Sequence, residues 1–323
     1  MPIQTISGYQ FHPDDLNIAA RKPGISAFLR TRNGADFLEA TIRSHMPFYD
    51  EIVAVFNQCQ DNTAEILARL AQEFGPKLRV FHYTDRVQPL GSKGHAGTPG
   101  NAPESMVNYS NFALKETRHD IVVKLDDDHL AIPGRVGAIC KTFRQGQANL
   151  RQFHCISGLN LAHDAQGALG VPASELLSGN GDIGYFKIAP DTVFEHDRRF
   201  ERFSRGRLKR VFAGYLYWHL KFLKSGAGFF NYELGENPNS RFARKKVEFD
   251  QTEMLHLADA ITAIMPGRIN RLSASTGGKL ALNFARDKSV AEAFAYPGLE
   301  AALDDLSPGW RMVDGLGIPF SAR

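Results

Sequence analysis

DIVVKLDDDH, residues 120–129, is an apolar run that ends in three consecutive aspartates and a histidine. Its length and apolar content predict a buried strand. Side chains alternate along an extended segment, so we expect Asp126 and Asp128 to point to one side and Asp127 to the other. Adjacent carboxylates repel one another, and holding them ionised at a strand end favours a bound cation. Oxygen ligands suit Mg²⁺ or Mn²⁺; the alternative interpretation is an acidic turn at the surface.

Strands and helices alternate in the residues before this run. Short apolar runs predict further strands at 25–31, 51–57 and 77–83. Apolar residues at helical spacing predict helices at 35–46, from Asp61 onward and at 104–117. This alternation predicts an α/β fold with a mostly parallel, Rossmann-like sheet flanked by helices. Ligands bind beyond the carboxyl ends of such strands, which is where the aspartates stand.

The rest of the chain is less regular. A loop at 85–103 is rich in glycine and proline, which is typical of a functional or mobile segment and also of a plain surface loop. Strand-like pieces follow at 153–161 and 182–189, and helices are predicted at 251–265 and around 288–304. We divide the chain into an N-terminal extension, an α/β domain and a C-terminal helical tail, at 1–24, 25–230 and 231–323.

Composition excludes several classes of protein. The chain has 323 residues, of which 43% are hydrophobic, and a net charge of +3, so it is neither disordered, collagen-like nor obliged to bind nucleic acid. Cys59, Cys140 and Cys155 form no CxxC pair, which indicates a reducing compartment and argues against structural zinc. We see no signal peptide and no apolar run near the ~18 residues that span a bilayer. We therefore expect a cytoplasmic protein, or one at the inner face of the cytoplasmic membrane.

Two common nucleotide-binding signatures are absent from the sequence. No GxGxxG follows the first predicted strand, and GxxxxGK[ST] does not occur. Both the dinucleotide-dehydrogenase and the P-loop interpretations are weakened by these absences.

Three segments in order carry a resemblance to a known family: FLRTRNGADFLEATIRSH (28–45), YDEIVAVFNQCQDNTAEIL (49–67) and NYSNFALKETRHDIVVKLDDDH (108–129). Together they resemble the family 2 type of GT-A glycosyltransferases, whose DxD motif holds a nucleotide-sugar through a divalent metal. The resemblance covers 25–135 well and 150–230 loosely. It implies a GT-A fold with a nucleotide-sugar half at 25–130 and an acceptor half at 131–230.

The resemblance also implies a donor site. Asp126 would touch the ribose or donor sugar, and Asp128 would ligate the metal. Phe56 and Asn57 stand where the family usually has an aspartate facing the base, and Phe56 is equally well explained as a core aromatic. Asp61 matches the turn into a helix, where its simpler role is capping. The implied nucleotide-sugar ligands are Thr31, Arg32, Asn33, Phe56, Asn57, Asp61, Lys124, Asp126, Asp127, Lys221 and Lys224.

His219 is the further metal ligand that the resemblance implies, in the set Asp126, Asp128 and His219. Imidazole beside carboxylate favours Mn²⁺. Lys221 and Lys224 could neutralise the departing diphosphate. The alternative for His219 is a histidine on a packed aromatic helix.

Inverting transfer needs a carboxylate that takes the proton of the acceptor hydroxyl. The candidates in this sequence are Asp182, Glu195, Asp197 and Glu201, of which we favour Glu201, with Asp182 second. For each of them, a solvated surface charge is the alternative.

A basic and aromatic run at 198–224 admits three interpretations. It forms a solvated helix face, part of the diphosphate pocket, or an interfacial helix on anionic lipid. The last would suit an acceptor carried on a lipid.

These observations together predict a metal-dependent, inverting glycosyltransferase that uses Mn²⁺ or Mg²⁺. We expect a hexosyltransferase-like enzyme with a glycan or lipid-linked glycan acceptor, of the kind used in bacterial polysaccharide or lipopolysaccharide synthesis. Two alternatives stay open: a sugar nucleotidyltransferase, and a catalytically inactive GT-A domain that serves as a binding or scaffold module.

Overall fold

A computed structural model describes residues 3–179, 181–265 and 278–316. Its strands, in chain order, are β1 (Gln4–Ile6), β2 (Lys22–Thr31), β3 (Glu51–Phe56), β4 (Leu78–Tyr83), β5 (His119–Leu125), β6 (His129–Ala131), β7 (Gln152–Asn160), β8 (Ala162–His163), β9 (Leu169–Pro172), β10 (Leu177–Ser178), β11 (Gly184–Lys187), β12 (Phe194–His196), β13 (Glu201–Phe203), β14 (Lys209–His219) and β15 (Met254–Leu255).

The α-helices in the same residues are α1 (Leu38–His45), α2 (Thr63–Phe74), α3 (Lys93–Gly97), α4 (Met106–Lys115), α5 (Pro133–Arg144), α6 (Arg241–Asp250), α7 (Leu257–Ile264), α8 (Gly278–Lys288), α9 (Val290–Ala293) and α10 (Leu299–Leu306). Short 3₁₀ turns lie at Pro13–Leu16, Ile18–Ala20, Gly75–Lys77, Lys221–Leu223, Ser225–Gly228, Phe230–Tyr232 and Trp310–Met312.

The large central sheet has the strand order β1-β4-β3-β2-β5-β11-β7-β14-β6. The first five strands are mutually parallel, as the alternation of strands and helices predicts. Strand β11 runs antiparallel to both β5 and β7, β14 is parallel to β7, and β6 is antiparallel to β14. The chain therefore folds as an α/β protein with a mostly parallel sheet, and β2, β3, β5, β7 and β14 all end at the same edge.

Both faces of this sheet are covered by helices. Ala27 and Leu29 of β2 face the core beneath α1, α2 and α5, whereas Phe28 between them faces the core beneath α4. Strands buried on both faces lose the polar alternation of half-exposed strands, which explains the near-continuous apolar runs of β2 and β3.

The strand that precedes the aspartates ends earlier than the sequence suggests. Its last ladder pair in β2–β5 joins Leu29 and Leu125. Asp126, Asp127 and Asp128 lie in a turn that reverses the chain into β6. The expected strand alternation of the three side chains was therefore wrong, because it holds only where the backbone is extended.

The basic and aromatic run at 198–224 is not a helix. It contains β13 and β14, and β14 lies inside the sheet between β7 and β6. Tyr215, Tyr217 and Trp218 are buried there. The interpretations of this run as a solvated or interfacial helix were wrong, since its aromatic side chains pack the interior.

The remaining differences concern element ends. The helix predicted at 251–265 begins only at Leu257, because Met254 and Leu255 pair with β9. Strand β2 begins at Lys22, inside the predicted extension, and β1 adds an edge strand beside β4. The loop at 85–103 contains α3.

The described part of the C-terminal tail packs against the sheet. Phe294, Leu303 and Trp310 share a buried cluster with Trp218 of β14. Residues 266–277 and 317–323 of the predicted tail lie outside the described residues. Within the described ranges, no helix combines the length and the apolar character that crossing a bilayer requires.

Candidate active site

The site forms where the strands of the sheet end together. Asp126, Asp127 and Asp128 follow β5, Thr31 ends β2, and His219 ends β14. Parallel pairing of β2 with β5 brings Thr31 to the turn, and antiparallel pairing of β14 with β6 brings His219 there. The turn after β5 is therefore surrounded by side chains from several strands.

Lys224 forms ion pairs with two of the aspartates. Its Nζ lies 2.5 Å from Oδ1 of Asp127 and 2.8 Å from Oδ2 of Asp128. Burial lowers the pKa of Lys224, but the two carboxylates outweigh this effect and raise it overall. The hydroxyl of Thr31 donates to the other oxygen of Asp127. The ammonium group thus compensates negative charge that would otherwise be buried without a partner.

The two aspartates that share Lys224 differ in proton affinity. Burial raises the pKa of Asp127 despite the opposing effect of Lys224. Burial acts in the same direction on Asp128, but Lys224 and His219 outweigh it and hold the pKa well below its usual value. Of these two carboxyl groups, that of Asp128 is therefore the one that stays ionised more readily.

Asp126 belongs to a separate group of charges. It forms an ion pair with Lys124 at 2.9 Å, and this lysine opposes the effect of burial and lowers the pKa of Asp126. Glu201 and Asp182 also raise the pKa of Lys124 against the effect of burial, so both carboxylates lie within electrostatic reach of it. Glu201 is mostly buried and pairs with Arg30 at 2.8 Å, whereas Asp182 is exposed.

His219 lies between Asn160 and Asp128. Asn160 donates its Nδ2 to the carbonyl of Glu175, which turns its Oδ1 toward Nδ1 of His219 at 2.5 Å. Nε2 of His219 lies 3.3 Å from Oδ1 of Asp128, and the imidazole there lowers the pKa of the carboxyl group. An imidazole nitrogen and a carboxylate oxygen this close together can ligate one divalent cation, which would take the place of a proton between them.

His129 adds a second imidazole to this group. One ligand atom each from Asp128, His129 and His219 lie within 4.8 Å of one another. His129 is fully buried, and burial lowers its pKa to about 3, so its ring is neutral at neutral pH. Carboxylate and neutral imidazole are ligands for divalent metals such as Mn²⁺, and the residues present therefore fit the expected ion.

The polar residues after β2 are engaged by a later segment of the chain. We call residues 224–237 the strap. Asn231 of the strap contacts the Asn33 side chain at 3.0 Å and the carbonyl of Arg32, while Glu233 pairs with Arg32 at 3.2 Å. The strap therefore covers Arg32 and Asn33, which the resemblance places among the nucleotide-sugar ligands.

The strap is anchored at further points along its length. The backbone nitrogen of Ser225 donates to Asp36, Glu233 lies 3.8 Å from Arg86, and Asn237 bonds the carbonyl of Gly91. The contacts of Glu233 and Asn237 join the strap to the loop at 85–103.

Other predicted donor ligands are held by the protein itself. The ring of Phe56 is buried and stacks on His82 at 4.5 Å. The Asn57 amide donates to the carbonyls of Tyr83 and Asp85, both at 2.7 Å. Asp61 accepts from the nitrogen of Ala35 at 3.0 Å. All three side chains have structural partners at the ends of β3 and β4 or beside α2.

Lys221 lies among aromatic rings. Its Nζ is 4.7 Å from the ring centre of Phe229 and 5.5 Å from that of Tyr232. Burial lowers the pKa of Lys221. Glu175 and Asp128 oppose this effect electrostatically, so both carboxylates lie near this ammonium group.

The sequence did not predict a role in the site for His129, Asn160 or the strap. His129 stands beside the aspartates in DDDH, and its position next to an acidic cluster is a signal that could have found it. Asn160 and Glu233 carry no local signal, because each acts on a residue that is distant in the sequence.

The chain matches no protein-family model, and a search among curated proteins gives no match. Solved structures do show similarity. Glucosyl-3-phosphoglycerate synthase from Mycobacterium tuberculosis, in complex with Mn²⁺, UDP and glucosyl-3-phosphoglycerate, is 19% identical over 49% of this chain and 52% of that chain, with a TM-score of 0.29. The same synthase with Mn²⁺ and UDP-glucose gives 20% identity over 50% and 52%, with a TM-score of 0.28.

A third similar structure is that of S. aureus TarS 1–349. It is 15% identical over 84% of this chain and 91% of that chain, with a TM-score of 0.33. The chain spans about half the length of the synthase structures. Sequence identities and TM-scores are low in all three comparisons.

Proposed function

We propose that this protein is a metal-dependent GT-A glycosyltransferase that moves a sugar from a nucleotide diphosphate to an acceptor hydroxyl. The observation that carries the proposal is the group formed by Asp128, His219 and Lys224 where the strands end. It combines ligands for a divalent cation with an ammonium group in one buried place. Mn²⁺ or Mg²⁺ held there would stabilise the negative charge of the departing diphosphate.

The residues of this chain have distinct tasks in the proposed reaction. Asp128 and His219 would hold the ion, and Asn160 fixes the orientation of His219. Lys224 pairs with Asp127 and Asp128, and with a metal bound beside it its ammonium group would be available to phosphate oxygens. Lys221 offers a second positive charge beside the strap. Positive charge fixed before the reaction stabilises the charge that develops during it.

We assign the base of an inverting transfer to Glu201, with Asp182 as the second candidate. The Arg30 guanidinium holds the Glu201 carboxylate in one orientation at 2.8 Å. Orientation of this kind is what proton abstraction from a hydroxyl needs. Asp182 is exposed and would need to be positioned by the acceptor.

The proposal extends to a glycan or lipid-linked glycan acceptor in bacterial surface-polysaccharide synthesis, at the cytoplasmic face of the membrane. Its support is the group of exposed cations around β12 and β13, which includes Arg198, Arg199, Arg202 and Arg207. Clustered cations attract anionic lipid surfaces. Flotation with vesicles that contain anionic lipid should carry the protein upward, and protein left in the soluble fraction would remove the membrane contact from the proposal.

Donor binding is the first test. We would measure thermal unfolding with UDP-, GDP-, CMP-, dTDP- and ADP-linked sugars, each with Mn²⁺, Mg²⁺ or EDTA. A donor at a hundredfold its dissociation constant stabilises by about 2.7 kcal/mol. We expect one nucleotide to stabilise only with metal, and Asp128→Asn to lose the effect while the exposed control Asp14→Asn keeps it.

The outcomes separate the alternatives. Stabilisation by no donor in folded protein would contradict the proposal and favour the scaffold interpretation. Release of pyrophosphate from a nucleoside triphosphate and a sugar phosphate would favour a nucleotidyltransferase.

The base assignment has its own test. Glu201→Gln should retain donor binding and lose transfer by about 10²–10⁴-fold, as expected for a general base. Asp182→Asn is the comparison and should keep activity within a few fold. Activity lost only in Asp182→Asn would move the base to that residue.

A further inference from the structure

His129 begins β6, directly after the aspartates, and is fully buried. In the antiparallel pair β6–β14 it stands opposite His219. Directly opposed residues on neighbouring strands hold their side chains close together. The two imidazole centres are accordingly 5.4 Å apart, and the ring of His129 is fixed by stacking on Tyr217 at 3.7 Å.

Neither ring nitrogen of His129 has a hydrogen-bond partner among the described residues. The Asp126 carboxylate comes nearest, at 3.7 Å from Nε2, and it is already bound to Lys124. A buried polar group without a partner costs about 1–3 kcal/mol, and native proteins avoid such groups unless something else satisfies them. The burial of His129 therefore needs a ligand to explain it.

A single ion can reach His129 together with Asp128 and His219. Ligand atoms of one ion, each at about 2.0–2.3 Å from it, lie up to about 4.5 Å apart. The three side chains present such atoms within 4.8 Å of one another, so small side-chain shifts are sufficient.

We propose that His129 is a metal ligand, and that Asp128, His129 and His219 form a set of two imidazoles and one carboxylate. This inference rests on the proposed function, because it concerns the ion of the same site. Asp126, the remaining member of the set implied by the resemblance, is instead the ion-pair partner of Lys124.

This ligand set predicts a metal preference. Imidazole suits transition metals, whereas Mg²⁺ favours an oxygen-only shell. We therefore expect Mn²⁺ and Co²⁺ to bind at least about tenfold more tightly than Mg²⁺. Replacing His129 should narrow that difference.

Pulsed EPR on Mn²⁺ tests the assignment without any activity measurement. Mn²⁺ is added to the metal-stripped full chain, in one arm alone and in the other with UDP. Nitrogen couplings count the imidazoles bound to the ion. We expect two in the unaltered protein, one in His129→Phe and two in His45→Gln, a control at another buried histidine that makes its hydrogen bond to Thr41.

The same samples give affinities. His129→Phe should weaken Mn²⁺ binding by about 100-fold or more, since even residues that only orient a ligand contribute about 10–100-fold. Circular dichroism checks that the variant folds. If His129→Phe does not fold, two measurements still test the assignment. The first is the number of imidazoles bound to Mn²⁺ in the unaltered protein, expected to be two. The second is the number in His129→Gln, expected to be one.

Each outcome decides a separate question. A single imidazole in the unaltered protein in both arms would overturn the role of His129 and leave metal-dependent donor binding untouched. An unchanged count in folded His129→Phe would also overturn it. No bound Mn²⁺ in either arm would overturn both this inference and the metal in the proposed function.

Discussion

At the scale of single residues, Gly34 shows how closely the site is packed. Its backbone nitrogen donates to the Thr63 hydroxyl at 2.9 Å. A Cβ at this position would collide with the Thr31 hydroxyl and the Asp127 carboxylate. Glycine is required here by space, and any side chain would displace the contact between β2 and the acidic turn.

Gly34→Ala should therefore weaken both stability and metal binding. Inserting a methyl group into a filled site costs about 1–3 kcal/mol. We expect a loss of this size in urea unfolding, together with a smaller stabilisation by Mn²⁺. Gly134→Ala is the control: no atom beyond its chain neighbours and its own helix would lie within 4 Å of the new Cβ, so the variant should be neutral or slightly more stable. Equal behaviour of the two variants would contradict the packing argument.

His45 makes stability depend on pH. Burial lowers its pKa to about 4, although its hydrogen bond to Thr41 opposes the change. An unfolded histidine titrates near about 6.5, so protonation favours the unfolded chain. The stabilisation due to His45 is complete above about pH 6.5 and is lost as the pH falls toward about 4.

Urea unfolding at about pH 7 and about pH 5 measures this effect. We expect His45 to contribute a loss of about 2 kcal/mol between them, from about 1.5 pH units at 1.36 kcal/mol each. His45→Gln retains the other titrating groups. Its loss of unfolding free energy between the two pH values should therefore be smaller than that of the unaltered protein by about 2 kcal/mol. Equal pH slopes for the two proteins would show that His45 does not titrate in this range.

At the scale of elements, the strap is held by polar contacts to the residues after β2 and by apolar packing of Phe229, Tyr232 and Leu234. Phe230 within it is 67% exposed. Its polar contacts are partly exposed, and such contacts open at lower free energy than core strands do. A nucleotide that uses Arg32 and Asn33 has to compete with Asn231 and Glu233 for them.

Glu233→Gln should loosen the strap and improve nucleotide binding. An ion pair of this exposure is worth on the order of 1 kcal/mol, so UDP affinity with Mn²⁺ should rise by up to about fivefold. Hydrogen exchange in residues 225–237 should become faster. Glu236→Gln, at an exposed carboxylate on the same strap, is the control. Unchanged exchange and affinity in Glu233→Gln would mean that the strap does not compete with nucleotide.

At the scale of the whole molecule, the C-terminal helices complete the core. Phe294 is fully buried and packs on Tyr215 at 5.2 Å and on Trp218 at 5.3 Å. The Trp218 indole also donates to Ser307, which in turn bonds the carbonyl of Ala131. Strand β14, the C-terminal helices and β6 are thereby joined, so the strands that carry His219 and His129 depend on the tail.

Phe294→Ala should destabilise the whole protein by about 3–5 kcal/mol, the usual effect of truncating a buried aromatic. Met312→Ala, at a side chain that is 88% exposed, should be neutral. Trp218 and Trp310 both lie in the shared cluster, so their fluorescence reports on this interface. We expect fluorescence and circular dichroism to change at the same urea concentration. An earlier change in fluorescence would mean that the tail unfolds separately.

Local pattern alone determined the α/β class and the position of the acidic group. Strands β2 to β5 and the helices between them follow from apolar periodicity, which is set by neighbours in sequence. Helix and strand ends were less predictable, since tertiary hydrogen bonds decide them, as Met254 and Leu255 show by pairing with β9. The run at 198–224 has helix-like composition, and only its place beside β7 makes it a strand.

Tertiary structure decided which groups work together. His129 and His219 meet because β6 and β14 pair in register, and Lys224 reaches Asp127 and Asp128 because β14 pairs with β6, the strand that follows the acidic turn. Such pairs are separated by many residues, and no periodicity along the chain links them. The sequence thus specifies which chemical groups are present at strand ends, whereas the order of strands in the sheet specifies their partners. That order results from burying both faces of the sheet at once, a property of the whole chain.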